Sequence, residues 1–133
     1  MTLNLTAATK NARMTALKNT IDAASAAKLL LYTSPRPATG AAATGTLLVS
    51  IALTQPCGVV DASGLHLVAA GSAQASGTGI ATWARLVDGN NNAVFDCDAK
   101  QTDDPRQAEL ILDIAAMYPG AFVNLVSAVI TEA

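Results

Sequence analysis

Four carboxylates, on Asp96, Asp98, Asp103 and Asp104, lie in one short stretch, where they are potential ligands for a cation. Just before them, Asp88, Asn90 and Asn92 have the D-x-N-x-N spacing that begins a calcium-binding loop. Calcium takes about six to eight oxygen ligands, and the loop must end on an acid that binds through both oxygens. The residue at that last position is Ala99. We therefore predict a solvated hairpin tip here and no metal site.

The residue types that serve as nucleophiles and bases do not combine into a catalytic group. His66 alternates with Leu65 and Leu67 in a predicted strand, and no Ser or Cys is placed beside it, which favours a structural histidine. Cys57 and Cys97 fall in separate predicted β segments, and two Cys with one distant His do not make a zinc ligand set. The two Cys are interpreted as buried thiols, with a disulfide formed after release from the cell as the alternative. We predict no enzyme activity and no cofactor.

Trp83 and Arg85 are the strongest candidates for binding another molecule. They share one face of a strand that continues into the turn residues Asp88 to Asn91, so the stretch from Thr78 to Asp98 predicts a β-hairpin. Aromatic and Arg side chains dominate interface hot spots, which makes Trp83 and Arg85 a candidate platform for a partner or a glycan. Packing beneath a loop is the alternative.

The composition points to assembly. Charged residues make up 14% of the 133-residue chain, whereas ordinary soluble domains have about 25%. The net charge is -2, which argues against nucleic-acid binding, and no apolar run approaches the roughly 20 residues of a membrane-spanning helix. We expect the charge-poor surface to be covered by partners or by copies of the chain.

An amphipathic helix is predicted from Thr6 to Ala24, within an N-terminal segment of residues 1–26 that we interpret as a docking element. Its apolar stripe consists of Met14, Leu17, Ile21 and Ala24. The stripe is thin, so the helix must pack on a sheet or on a neighbouring subunit. The interface candidates on this helix are Arg13, Leu17 and Ile21.

Residues 27–133 show six or seven short strands separated by turns. The strands are predicted over Ala27–Thr33, Thr46–Thr54, Leu65–Ala69, the two arms of the hairpin, Glu109–Ala115 and Ala121–Thr131. A Tyr118-Pro119-Gly120 turn precedes the last strand, one of whose faces is predicted to consist of Phe122, Val126, Ala128 and Ile130. The order of elements predicts a mainly β fold, an antiparallel, jelly-roll-like β-sandwich with one N-terminal α-helix.

Several motifs follow one another along the chain. They are L-T-A-A-x-x-N-A-x-x-x-A-L at Leu5–Leu17, L-L-L-Y-T-S-P-R-P-A-T-G at Leu29–Gly40, T-L-L-V-S-I-A-L at Thr46–Leu53, G-T-G-I-A-T-W-A-R-L-V-D-G at Gly77–Gly89 and a final strand ending in T-E. Their order resembles that of small virion structural proteins of tailed phages and prophages. Nearly the whole chain is covered. The Cys pair and the sequence M-Y-P-G depart from the family pattern.

The resemblance implies a structural role in the virion, in a protein made in the host cytoplasm. A capsid decoration or cement protein is favoured, bound to the major capsid protein as a symmetric homo-oligomer, with a trimer favoured. The alternative is a neck, tail or fibre component that binds another virion protein or a host glycan. No catalytic residue is carried over, and neither nucleic acid nor membrane is an expected partner.

Overall fold

The computed structural model describes residues 6–23, 27–61, 64–105 and 108–130. In these ranges one helix is followed by short and long strands. Their bounds are α1 Ala7–Asp22, β1 Lys28–Tyr32, β2 Leu47–Asp61, β3 Gly64–Ala69, β4 Ala73–Gln74, β5 Gly79–Ile80, β6 Trp83–Val87, β7 Ala93–Gln101, β8 Leu110–Leu112, β9 Ala116–Met117, β10 Phe122–Val123 and β11 Leu125–Ile130.

Seven of the described strands close into a barrel, in the order β1-β2-β3-β11-β8-β7-β6 and back to β1. The neighbours are antiparallel except β7 and β8, which pair in parallel with Ala99 opposite Leu110. The predicted antiparallel sandwich is therefore wrong. Sandwiches and barrels both give strands with one buried face, so alternation alone does not separate them. Closure depends on β1, which pairs with β2 on one side and with β6 on the other.

The barrel core consists of aliphatic side chains with small residues between them. The fully buried large side chains include Leu29, Leu31, Ile51, Leu86, Leu110 and Leu112. Ala84 and Ala99 are buried among them. A barrel of this strand number has little interior volume, which suits a chain rich in Ala and poor in aromatic residues.

The helix prediction is confirmed by α1, although Ala24 lies outside the described residues. The Thr6 side chain caps the helix by accepting a hydrogen bond from the Thr9 backbone N–H at 3.2 Å. Ile21 is fully buried and Met14 is 8% exposed, because α1 packs on β2 and β3. The helix therefore shares one hydrophobic core with the barrel.

The carboxylate and carbonyl of Asp22 attach the end of α1 to the barrel. The Cys57 backbone N–H donates to Asp22 Oδ1 at 2.9 Å, and Gln55 Nε2 donates to the Asp22 carbonyl at 3.2 Å. Lys18 Nζ lies 3.3 Å from Asp22 Oδ2 as an ion pair on the helix. These contacts hold the helix end against the middle of β2.

Two strands run further than the sequence predicts. β2 continues past Pro56 to Asp61, and its pairing with β3 is irregular between Leu53 and Gly58. Such an irregularity accommodates a proline, which cannot donate to the ladder. β7 continues to Gln101, beyond Asp98 where the predicted hairpin ends, because this part of the strand pairs with β8.

The last predicted strand is divided into β10 and β11. The four residues predicted to share one face do not share it: Ala128 and Ile130 are buried, whereas Phe122 and Val126 are 65% and 54% exposed. A register shift between Leu125 and Ser127 reverses the side-chain alternation, so the single predicted face is wrong. The preceding turn is confirmed: the Ala121 N–H donates to the Tyr118 carbonyl at 3.0 Å, and Gly120 has the positive φ of 93° that a type II turn needs.

Candidate functional site

Trp83 and Arg85 are inside the folded chain, beneath the connection between β1 and β2. Trp83 is fully buried and Arg85 is 8% exposed. The indole Nε1 donates to the Thr33 carbonyl at 2.9 Å, and the ring stacks on Tyr32 with 4.7 Å between centroids. The Arg85 guanidinium lies 5.4 Å from the Trp83 ring centroid, within the range of a cation–π contact. Packing beneath a loop, the alternative interpretation, describes this arrangement.

The charge of Arg85 is neutralised by Asp96, its cross-strand partner on β7. Arg85 Nε and one terminal nitrogen donate to the two carboxylate oxygens, at 2.8 and 3.1 Å. The Gly40 backbone N–H donates to Asp96 at 3.2 Å, and Arg85 donates to the Ala41 carbonyl. Arg36 also donates to the Asp96 carbonyl at 3.1 Å. The ion pair therefore holds residues 33–46 on the outside of β6 and β7.

Both members of the ion pair stay charged. Burial opposes the charge on Asp96, but the hydrogen bonds from Arg85 and Gly40 outweigh it and hold the pKa of Asp96 below its usual value. The hydrogen bond to Asp96 raises the pKa of Arg85. Because the donors and acceptors of the pair are used within the chain, this cluster serves structure.

The remaining polar candidates have partners of their own. Asp88 Oδ1 accepts hydrogen bonds from the backbone N–H groups of Asn90 and Asn92, each at 2.9 Å, so it stabilises the predicted hairpin tip. His66 Nε2 lies 2.9 Å from Asp61 Oδ1 on the β2–β3 hairpin. In the ranges that the structure describes, no cluster of three or more His, Cys, Asp or Glu residues has the arrangement of a metal site.

Both cysteines are free and buried, Cys57 on β2 and Cys97 on β7. Burial, followed by the nearby Asp22 carboxylate, raises the pKa of the Cys57 thiol to about 11. Burial likewise raises the pKa of the Cys97 thiol. The thiolate is the reactive form, so neither side chain is arranged as a nucleophile at neutral pH.

The interface candidates on α1 do not lie on one surface with Trp83 and Arg85. Ile21 is buried and Leu17 is partly buried against the barrel, while Arg13 is exposed. Trp83 and Arg85 contact residues 33–46, whereas α1 packs on β2 and β3. The accessible apolar surface lies elsewhere, on residues that the sequence interpretation did not single out.

Residues 73–81 and 115–123 form two short antiparallel pairs, β4 with β10 and β5 with β9, separated by the Tyr118–Ala121 turn; we call the two pairs together the ribbon. The paired residues are Ala73 and Val123, Gln74 and Phe122, Gly79 and Met117, and Ile80 and Ala116. The Ala75 N–H donates to the Ala121 carbonyl and the Ala81 N–H donates to the Ala115 carbonyl, so both pairs have the same register. The ribbon is attached to the start of β2, because the Ser76 N–H donates to the Leu48 carbonyl at 2.8 Å.

One face of the ribbon is buried and the other is exposed. The buried side chains are Ala75, Ala81, Ala115, Met117 and Val123. The exposed side chains, which we call the ribbon face, are Gln74, Ile80, Ala116, Tyr118 and Phe122. Ile80, Tyr118 and Phe122 are 59%, 63% and 65% exposed. Ile80 is on β5, Phe122 is on β10 and Tyr118 begins the turn between the two pairs, so the exposed apolar side chains are spread along the ribbon.

A second exposed apolar pair, which we call the wall patch, lies on β2 and β3. Val59 is 64% exposed and pairs with His66, and Val68, two residues further on the same face of β3, is 46% exposed. The ribbon contacts the start of β2, whereas Val59 lies near the end of that strand. Within the described ranges, the ribbon face and the wall patch are therefore separate exposed apolar areas.

The signal for the ribbon face in the sequence was an absence of charge. The chain has no Asp, Glu, Lys or Arg between Asp61 and Arg85 or between Asp113 and Glu132, and the ribbon is built from these two stretches. Among the described residues, no helix has the length and apolar character needed to cross a membrane. Comparisons of the chain with protein-family models, with curated proteins and with solved structures found no match.

Proposed function

We propose that the chain is a structural component of a phage virion, a capsid decoration or cement protein that binds the major capsid protein. The observation that carries this proposal is the presence of two separate apolar surfaces, the ribbon face and the wall patch, on one small barrel. A component of a lattice must contact more than one neighbour, and interface centres are rich in aromatic and apolar groups and poor in charge. The motif resemblance supports the same role.

The rest of the molecule is suited to a mechanical role. The barrel has no open sheet edges along its wall, and its buried ion pair joins residues 33–46 to β6 and β7. Such a unit resists deformation, and many modest contacts made by repeated copies would tie neighbouring capsid proteins together. Because Trp83 is buried, it does not support the glycan-binding form of the neck, tail or fibre alternative.

The proposal is tested on purified particles. A quantitative gel is expected to show the chain at a copy number comparable to that of the major capsid protein, whereas a neck or tail component would be present in few copies. Particles that lack the protein are expected to lose their genome at a lower temperature, and adding purified protein back is expected to restore the wild-type temperature. Equal heat resistance with and without the protein would contradict the cement role.

The wall patch supplies a matched pair of variants for the add-back experiment. Val59→Lys places a charge in the exposed apolar pair, and its occupancy on particles is expected to fall strongly. Val59→Ile keeps an apolar, β-branched side chain without a charge, and is expected to bind at near wild-type occupancy. If Val59→Lys binds as well as the wild type, the wall patch is not a capsid contact.

A further inference from the structure

We propose that the 33–46 connection is a lid that opens as a unit while the barrel stays folded, and that the ion pair of Arg85 with Asp96 keeps it closed. The two ends of the connection are joined to each other. The Thr33 N–H donates to the Thr46 carbonyl at 3.1 Å, and the Thr46 N–H donates to the Thr33 hydroxyl oxygen at 2.9 Å. A loop whose ends meet is able to move without pulling β1 and β2 apart.

The 33–46 connection contributes no buried residue to the fold, since each residue from Thr33 to Thr46 is half-buried or exposed. Polar contacts hold it on the barrel instead. Arg36 donates to the Asp98 carboxylate at 3.0 Å and to the Asp96 carbonyl at 3.1 Å. Segments with few buried apolar contacts are those that open locally while the rest of a domain stays folded.

The side chains beneath the 33–46 connection are buried outside the barrel core. Trp83 and Val87 are buried on the outer face of β6, whereas Ala84 and Leu86 on its inner face belong to the core cluster. Barrel closure does not cover the outer face, so the burial of Trp83 depends on the connection. When the connection opens, Trp83 becomes accessible to solvent and the barrel core does not.

The ion pair makes the closed state favourable. The Gly40 N–H donates to the Asp96 carboxylate and Arg85 donates to the Ala41 carbonyl, so both members of the pair bind the backbone of the connection. Without the carboxylate, Arg85 would be a buried cation with no partner, which is costly. Opening returns the guanidinium to water, so loss of the carboxylate shifts the equilibrium toward the open state.

Opening also determines when a particular surface is accessible. The closed connection covers Trp83, with Tyr32 stacked on it and the Arg85 guanidinium 5.4 Å from its ring centroid. Aromatic and Arg side chains of this kind dominate interface hot spots. The 33–46 connection therefore acts as an internal cover for these three side chains.

The test uses Trp83, the one tryptophan of the chain, as the reporter. In the wild type the open state is a minor population, so acrylamide is expected to quench the fluorescence weakly. Asp96→Asn is expected to raise the quenching constant several-fold. It is also expected to speed hydrogen exchange of the Gly40 amide by at least about tenfold, while circular dichroism shows a folded barrel.

Gly58→Ala is the matched control, because it strains the contact of β2 with β3 and leaves the 33–46 connection unchanged. If Trp83 became accessible only through global unfolding, Gly58→Ala would raise its quenching as Asp96→Asn does. Quenching in folded Gly58→Ala is expected to equal that of the wild type. An equal rise in the two variants would overturn the inference.

Arg36→Gln is a second variant, which acts from the connection and leaves the buried ion pair in place. It removes the donors to the Asp98 carboxylate and to the Asp96 carbonyl, and a smaller rise in quenching is expected. If Asp96→Asn does not fold, Arg36→Gln decides the question. Wild-type quenching in every folded variant of the two would overturn the inference.

Quenching is measured on the purified chain without particles, so this inference does not rest on the proposed function. Opening in a protein that does not bind particles would contradict the proposed function alone. Full occupancy on particles together with unchanged quenching in Asp96→Asn and Arg36→Gln would contradict the lid alone.

Discussion

The carboxylate of Asp96 joins three parts of the chain at one point. It accepts hydrogen bonds from Arg85 on β6 and from Gly40 in the 33–46 connection, while its own backbone belongs to β7. Its side chain is fully buried, unlike that of Asp98, which is 52% exposed in its pair with Arg36. These two aspartates therefore make the same kind of ion pair in opposite environments.

Asp96→Asn is expected to lower the free energy of unfolding by about 3–5 kcal/mol, because it leaves the buried Arg85 charge without its partner. The matched control Asp98→Asn is expected to cost about 0–1 kcal/mol, as exposed pairs do. Denaturant unfolding at neutral pH measures both. Folding lowers the pKa of Asp96, so its carboxylate stabilises the wild type relative to Asp96→Asn above the ordinary aspartate pKa. This difference in the free energy of unfolding is lost as the pH falls through the lowered pKa. Equal effects of the two substitutions would contradict the burial of Asp96.

Because the pKa of the Cys57 thiol is raised, the free energy of unfolding is expected to fall at alkaline pH. Its pKa rises from 9.0 to about 11 on folding, so the folded state keeps its thiol proton in a pH range where the unfolded chain has lost it. The stabilisation is complete below pH 9.0 and declines as the pH rises toward about 11. Unfolding free energies measured across this range are expected to fall more steeply in the wild type than in Cys57→Ser. Parallel curves would show that Cys57 does not titrate with folding.

At the scale of elements, β2 is the strand on which most of the structure depends. It pairs with β1 and β3, contacts α1, and carries the ribbon at its start. Near the α1 contact it comes very close to β3: a side-chain carbon added at Gly58 would lie 1.9 Å from the His66 carbonyl oxygen. No substitution fits there unless the two strands separate.

Gly58→Ala is therefore expected to destabilise the chain by at least about 1–3 kcal/mol, the usual cost of overpacking. Gly71→Ala is the matched control, since a carbon added at Gly71 meets nothing within 4 Å. Thermal unfolding of the two variants is expected to show a clear drop for Gly58→Ala and almost none for Gly71→Ala. If both variants unfold at the wild-type temperature, β2 and β3 are not in close contact at this position.

At the scale of the whole molecule, the helix and the barrel form one cooperative unit. Ile21 and Met14 belong to the same buried cluster as the barrel side chains, and Asp22 binds the backbone of Cys57. This arrangement limits the role of α1 as a detachable docking element, because removing it would expose the core beneath it. The exposed side of α1 includes Arg13.

Unfolding is therefore expected to be a single transition. Trp83 fluorescence reports on the 33–46 connection and the barrel wall, whereas far-ultraviolet circular dichroism at the helix band reports on α1. The two midpoints in denaturant are expected to coincide, as they do when one domain unfolds cooperatively. A helix signal lost at lower denaturant than the Trp83 signal would show that α1 detaches by itself.

The sequence by itself determined the local elements. The 3.6-residue period placed α1, an apolar run placed β1, and alternation placed β3, β8 and the start of β2. Asp, Asn and Gly residues marked the hairpin between β6 and β7. Helical period, strand alternation and turn residues depend on residues close together in the chain, so a short stretch of sequence is enough to show them. The low charge also indicated that some surface is meant to be covered, but without showing which one.

The tertiary structure alone decided which strands meet and what covers each face. Alternation shows that one side of a strand is buried, but barrel closure and the parallel pairing of β7 with β8 depend on contacts between distant residues. For this reason the sequence left open whether Trp83 is a platform or packs beneath a loop, and it did not show that Phe122 is exposed. The 33–46 connection folds over Trp83, whereas the ribbon frame and the register shift beyond it turn Phe122 outward to solvent.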